Sequence, residues 1–344
     1  MLVQSGKWLS AEGPESDIVV SSRARLARNV SGFPFITRAD RTQMEELEDY
    51  LSGRLKEIIK DGVYFKMSDL TEIERGVLME RNLISRELCD ATVPSGVVFS
   101  LDESESVMIN EEDHLRLQVI EPGLRLREAY NRINELDEKI GEVVEYAYSD
   151  RFGFLTACPT NAGTGLRASV MLHLPALIMT RQMPKVFETV YRLGLAVRGF
   201  HGEGTSASGD FYQVSNQKAM GRSEEALIDD ILSVVPQIAR YERSIREALV
   251  EQTRKRLEDR VWRAYGLLSS CRLVSTEEAL DMLSLIRLGL SLRILNKIDA
   301  NIVSQLFVLV QPAHLTKRSG KEGLSEELRD AERADFIRQY FAVN

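Results

Sequence analysis

From Ser223 to Leu268 the chain reads SEEALIDDILSVVPQIARYERSIREALVEQTRKRLEDRVWRAYGLL, and its apolar residues return every three to four positions for turn after turn. A strand alternates with period two, so only a long amphipathic helix places those residues on one side. Pro236 lies inside the run and predicts a kink there. STEEALDMLSLIRLGL follows, opening on a Ser275/Glu278 capping box, and SEELRDAERADFIRQYF makes a last helix. Everything from residue 224 to 344 therefore reads as one all-helical domain.

Residues 1–223 read differently. DIVVSSRAR begins on a β-branched run that suits a strand, residues 40–60 carry helical spacing, and TEIERGVLMERNLIS opens with Thr71 and Glu74 as a capping box. GVVFSLD, SVMINEE and LRLQVIE are three short strand candidates in succession, as in an antiparallel meander, and a helix over 124–144 follows. In GFLTACPTNAGTGLRASVMLHL a Pro/Asn/Gly-rich loop separates two apolar runs, giving strand, loop, strand with the loop at a sheet edge. After a helix over 184–194, LAVRGFHGEGTSASGDFYQVSN gives two more strands around a glycine-rich loop. The fold class expected is α+β: an antiparallel sheet flanked by helices, followed by the helical domain.

With 44 Lys and Arg against 52 Asp and Glu, the net charge is −8, which argues against a protein that coats nucleic acid. The three cysteines, Cys89, Cys158 and Cys271, form no C-x-x-C pair, so neither a disulfide framework nor a zinc knuckle is expected, and a reducing cytoplasm is the simplest setting. No apolar stretch has the length of a signal or membrane segment. His114, His173, His201 and His314 show no metal-ligand spacing. There is no G-x-x-x-x-G-K-[ST], and GTGLRA lacks the remaining glycine of a dinucleotide fingerprint.

What remains is a set of arginines beside loops and strands: Arg23 and Arg25 in SSRAR, Arg116 in NEEDHLR, Arg167 in GTGLRA and Arg198 in VRGFHGE. A guanidinium presents a planar fork of donors that matches phosphate oxygens. Arg23 and Arg25, two apart in a strand, project from one face. Five such forks on one pocket would hold a triphosphate without a P-loop. Glu111, Glu112, Asp113 and Glu203 carry the opposite sign and repel one another unless a cation sits between them, a gap that a guanidinium substrate fits.

The ordered motifs SSRAR (21–25), NEEDHLR (110–116), CPTNAGTGLRA (158–168) and VRGFHGE (197–203), followed by SN at 215–216, resemble those of the phosphagen kinases, the creatine and arginine kinase family. That resemblance implies a glutamine-synthetase-like sheet and phosphoryl transfer from ATP to a guanidinium. It implies that Arg23, Arg25, Arg116, Arg167 and Arg198 bind the phosphates of ATP, with Mg²⁺ held mainly through them. Glu112 and Glu203 would grip the acceptor guanidinium, with Cys158 as a thiolate beside its reacting nitrogen. Either glutamate can take the proton; the residues leave this open.

SSRAR begins at Ser21, whereas in the small-molecule kinases it follows a helical domain that closes over the acceptor, and here about 120 helical residues come after the catalytic motifs instead. This arrangement is similar to the bacterial protein arginine kinases of the McsB type, which act on arginine side chains of proteins. RDAERA (329–334) fits that family's R-D-x-x-R-A pattern, which implies that Arg329, Asp330 and Arg333 bind phosphoarginine at a second, regulatory pocket. The family further implies a stress role, a homodimer, and partners in a Clp protease, a heat-shock repressor and a zinc-binding activator protein. The rivals are a kinase for free arginine and a non-catalytic phosphoarginine-binding adaptor.

Overall fold

The structure is a computed structural model and describes residues 6–199, 208–321 and 323–342. In chain order the elements are β1 (Val19–Arg28), α1 (Arg41–Ile58), β2 (Val63–Lys66), α2 (Glu72–Glu80), α3 (Arg86–Cys89), β3 (Gly96–Phe99), β4 (Glu105–Ile109), β5 (Leu115–Pro122) and α4 (Leu126–Gly141). They continue with β6 (Tyr148–Ser149), β7 (Gly153–Phe154), β8 (Leu166–His173), α5 (Pro175–Met179), α6 (Met183–Arg192), β9 (Leu195–Gly199) and β10 (Phe211–Asn216). The helical part comprises α7 (Glu224–Ser270), α8 (Thr276–Ser291), α9 (Ala300–Leu309), α10 (Pro312–Ser319) and α11 (Glu326–Ala342).

Eight strands form one antiparallel sheet in the order β2-β3-β4-β5-β1-β8-β10-β9, so the SSRAR strand lies near its centre. The expected meander is β3-β4-β5. Alternation splits the central strands into two faces. Ala24, Leu26, Leu117, Val119, Ala168, Val170 and Val214 turn to one side and bury against α1, α4, α6 and the first half of α7. The opposite face carries the arginines. At one end it is roofed by the helical part, where Phe211 and Met171 join the core of α8, α9 and α11.

The Thr71/Glu74 capping box is present at the start of α2, and Ser275 caps α8 through the Glu278 backbone N–H. Two local expectations are corrected. The CPTNAGTG loop does not sit at a sheet edge: it enters β8, a central strand between β1 and β10, and the GF piece before it belongs to a separate two-residue hairpin with β6. The long helix α7 does not break at Pro236; its non-helical residue is Thr253, at φ −137° and ψ 27°. Around Pro236 the residues Val234, Val235, Ile238 and Ala239 are buried in the sheet core, and that packing holds the helix through the missing N–H. At Thr253 the hydroxyl donates to the Leu249 carbonyl at 3.0 Å, the kind of local side-chain bond that bends helices. The break separates residues that pack on the sheet from residues, beginning with Val261, that pack on the helical core.

A second seam joins the parts. Glu80 at the end of α2 accepts from the backbone N–H groups of Ala313 and His314 in the first turn of α10, at 2.7 and 3.0 Å. A Cβ on Gly76 would come within 2.8 Å of the Ala313 Cβ, so the two helices cross too closely for any larger residue there.

Candidate active site

Strand register does what spacing could not. Arg25 lies opposite Arg167 on β8 and opposite Gln118 on β5, two residues from Arg116. Arg23 lies opposite Ser169, while Met171 faces Gln213 and Gln213 faces Arg198. Since directly opposed residues share a face and residues two apart do too, all five arginines project from the same side of the sheet. Burial first, then Arg116 and Arg167, lowers Arg23 to about 10; burial first, then Arg23, Arg116 and Arg167, lowers Arg25 well below its ordinary value against the pull of Glu111. The Nε of Arg25 is buried and has no hydrogen-bond partner among the described residues.

Arg116 is the exception. Its Nη1 donates to both carboxylate oxygens of Glu111 at 2.6 Å, and the attraction raises the arginine although burial opposes it. Glu111, buried to 1 % side-chain exposure, also bonds Ser85 and the Glu112 backbone and is held below its ordinary value despite burial. Glu111 therefore orients the Arg116 guanidinium and is already engaged.

Glu112 is exposed and accepts from Asn161 Nδ2 at 3.2 Å. Its carboxyl is raised, by burial first and then by Asp113 and Glu111, against the opposing pull of Arg116 and Asn161. Asn161 belongs to the loop that holds Cys158, whose sulfur lies 3.0 Å from the Thr160 hydroxyl. Asp113, buried between the two loops, accepts through Oδ1 from Asn29 Nδ2 and from the Ala157 N–H, both at 2.6 Å. His114 accepts the Val30 N–H on Nδ1 at 3.0 Å, which leaves Nε2–H to donate to the Pro34 carbonyl at 3.0 Å; burial holds the ring neutral. Asp113 and His114 thus build the loop through these bonds.

The cysteine loop is clamped from below by Arg28. Its guanidinium pairs with Asp137 at 2.7 Å, donates to the Thr164 carbonyl at 2.9 Å, and lies 3.5 Å from the Phe154 ring centre. Gly165, at φ +70°, passes so close that a Cβ would stand 2.5 Å from Arg28 Nη1 and 2.6 Å from the Ala27 carbonyl. Arg28, Asn29 and Asn161 were not among the sequence candidates. Arg28 and Asn29 continue directly from SSRAR, but nothing local shows that a polar side chain there turns inward. Glu203 lies outside the described residues.

A cleft of about 620 Å³ leads away from Arg23 past Asn82, Ser85 and Arg86 to Thr276 and Pro312, between the two parts of the molecule. On α11 the three motif residues separate. Arg333 is buried and donates to the carbonyls of Val274 and Val310, both at 2.9 Å, and to Asp330 at 2.5 Å; Arg329 lines a cleft with Thr71, Glu72, Ile73 and Thr316.

Residues 43–245 match the ATP:guanido phosphotransferase C-terminal catalytic domain, and residues 254–344 match the protein-arginine kinase McsB C-terminal domain, with the junction falling around Thr253. The protein-arginine kinase of Bacillus subtilis is 44 % identical over 96 % of this chain and 92 % of its own length. That of Moorella thermoacetica is 42 % identical over 99 % of both. The chain belongs to the protein-arginine kinase family. Among solved structures, the duplicated taurocyamine kinase of Schistosoma mansoni with bound transition-state analog components matches at a TM-score of 0.61 and 29 % identity, over 71 % of this chain and 35 % of that one. A lombricine kinase matches at 0.61 and 25 %, over 71 % and 72 %. The fold is that of the phosphagen kinases, extended by the family's helical domain. As an ATP:guanido phosphotransferase the family uses ATP, and the arginine face fits its phosphates.

Proposed function

We propose that this chain phosphorylates arginine side chains of proteins with ATP, the activity that its relatives are named for. The observation that carries the reading is the single sheet face: Arg23, Arg25, Arg116, Arg167 and Arg198 gather on it, and the loops of Glu112 and Cys158 are tied together by Asp113 and Asn161. The arginines bind and align the triphosphate, with Mg²⁺ carried by its oxygens and neutralising charge there. Among the described residues no cluster of His, Cys, Asp and Glu offers a metal cage. The nucleoside lies along the cleft between Arg23 and Pro312.

In the reaction a guanidinium nitrogen attacks the γ-phosphorus, the N–P bond forms, the bond from γ-phosphorus to the β-bridging oxygen breaks, and ADP leaves. The nitrogen must shed a proton, and with a guanidine pKa of roughly 13 it needs a carboxylate to take it. Glu112, its carboxyl raised above the usual range, suits that task better than an ordinary surface glutamate. Glu203 shares the grip on the cation, and Cys158 faces it. Little covalent work is asked of the protein: alignment of two reactants supplies roughly 7–11 kcal/mol and the arginine field much of the remainder.

The decisive assay offers free arginine and an unfolded protein side by side and looks for acid-labile phosphate on arginine; turnover of free arginine alone would support the rival small-molecule kinase. Glu112→Gln should abolish transfer and leave ATP affinity within about threefold, and a collapse of ATP affinity removes Glu112 from the guanidinium site. The catalytic unit extends through the first half of α7 to Thr253. The rest of the reading follows the family resemblance: a cytoplasmic homodimer in stress response, serving a Clp protease and a heat-shock repressor and working with a zinc-binding activator. Arg329, Asp330 and Arg333 would bind phosphoarginine; with Arg333 buried, Arg329 is the residue placed to meet it first.

A further inference from the structure

The arginine at the sheet's edge hangs on the helical domain. β9, which carries Arg198, is the outermost strand and pairs only with β10. β10 in turn leaves a turn, Ser208–Asp210, in which Gly209 (φ 65°) and Asp210 (φ 61°) both take the left-handed conformation. That turn is fastened to α8. Ser284 Oγ–H donates to Asp210 Oδ2 at 2.5 Å, and His173 Nε2, at the end of β8, lies 2.8 Å from Ser284 Oγ. Because the Ser284 proton is used on the carboxylate, His173 must be the N–H donor in the other bond. Burial holds that ring neutral, with Arg287 and Arg246 adding to the effect.

Around this chain the Gly209 N–H points to Asp281 Oδ1 at 3.4 Å, the Leu174 N–H donates to the Asp210 carbonyl at 3.0 Å, and the Phe211 ring packs edge-on against Phe307 of α9 at 4.6 Å. A Cβ on Gly209 would meet Phe307 at 3.2 Å. One buried serine on the helical domain therefore joins the ends of β8 and the start of β10, the two strands that precede the Arg198 edge.

We propose that Ser284 and Asp210, with His173, are positioning residues that set Arg198 for its phosphate, so that the helical domain completes the catalytic sheet. The same helices are held at their far side by Arg333, which donates to the carbonyl of Val274, ahead of the α8 N-cap, and to that of Val310, the C-cap of α9. The proposal rests on Arg198 being a phosphate ligand, and the test separates the two.

In the full chain, with an unfolded protein as substrate, kcat and KM for ATP are measured for Ser284→Ala, Asp210→Ala, Asp210→Asn, Arg198→Ala and the Ser284→Ala/Arg198→Ala pair, with thermal midpoints alongside. Ser284→Ala and Asp210→Ala should each lose about tenfold in kcat/KM for ATP, whereas Asp210→Asn, which still offers an oxygen to Ser284, stays within about threefold. In the Arg198→Ala background Ser284→Ala should cost less than about twofold more, because its route is already gone. A loss that multiplies undiminished in that background, or Asp210→Asn as damaging as Asp210→Ala, overturns the positioning role. Arg198→Ala with wild-type kinetics instead removes the phosphate assignment beneath it.

Discussion

Asp113 is the sharpest probe of whether the two catalytic loops work as one unit. Its Oδ1 alone receives two donors, Asn29 Nδ2 and the Ala157 N–H, each at 2.6 Å, from the strand behind the site and from the residue before Cys158. Asp113→Ala strands both donors in a site that is 2 % exposed. At about 1–3 kcal/mol for each unmet buried donor, the loss is about 2–6 kcal/mol, less whatever water enters the space. Asp113→Asn removes no acceptor, because an amide oxygen in the Oδ1 place takes both bonds. The native carboxyl is raised by burial against the pull of those bonds and of Arg116, so the amide escapes a desolvation cost while forgoing the attraction to Arg116. The net change for Asp113→Asn should fall within about 1 kcal/mol of zero.

The kinetic expectation follows from geometry. With the strut gone, Glu112 and Cys158 lose their fixed separation, and a displacement of about 1 Å at a reacting centre costs on the order of a hundredfold in rate. Urea unfolding gives the stability change, and phosphoarginine formation on an unfolded protein at saturating ATP gives kcat. Asp113→Ala should fall about a hundredfold and Asp113→Asn less than about fivefold. An alanine variant that is destabilised as expected yet turns over at the wild-type rate would falsify the strut: Asp113 would then be holding the fold and nothing more.

Two further outcomes are open to measurement. Gly165→Ala forces a Cβ against Arg28 Nη1 and the Ala27 carbonyl at a φ of +70°, and should lower stability by about 2–4 kcal/mol and kcat with it; an unshifted urea midpoint would show that the loop relaxes freely. Asp210, faced by Ser284, Asp281, Glu242 and Arg260, is raised by burial from 3.8 to about 6. A carboxyl raised in the fold stabilises it below the unfolded value and loses that contribution as pH climbs through the folded one. The stability of Asp210→Asn relative to wild type should therefore grow between pH 4 and 7 by up to about 3 kcal/mol, and a difference independent of pH refutes it.

How far the sequence reached depended on how local each determinant is. The capping box at Thr71, the Ser275 cap on the Glu278 N–H and the shared face of Arg23 and Arg25 involve residues at most three apart, and these are found as read. The gathering of Arg116, Arg167 and Arg198 on that face is a matter of register between strands up to 175 positions apart in number, which periodicity cannot supply and which only the family motifs suggested. The misplaced kink shows the opposite failure. Pro236 carries a strong local signal, yet the residue that leaves helical geometry is Thr253, where the helix passes from one core to the other and which no local signal marked. The pairing of Glu111 with Arg116 divides the acidic triplet: one side chain orients an arginine, one is exposed and meets Asn161, one struts the loops.

That division also bears on the charge balance of the arginine face. Arg116 has the Glu111 carboxylate bonded to it, while Arg23 and Arg25 are depressed by burial first and then by neighbouring arginines. Placing carboxylates against each of them would quiet the repulsion but compete with phosphate for the same forks. A polyanion bound across these forks would offset the repulsion that adds to burial at Arg23 and Arg25. In a protein of net charge −8, the register of the strands still places five arginines on one sheet face, so the local charge there favours a polyanion although the net charge does not.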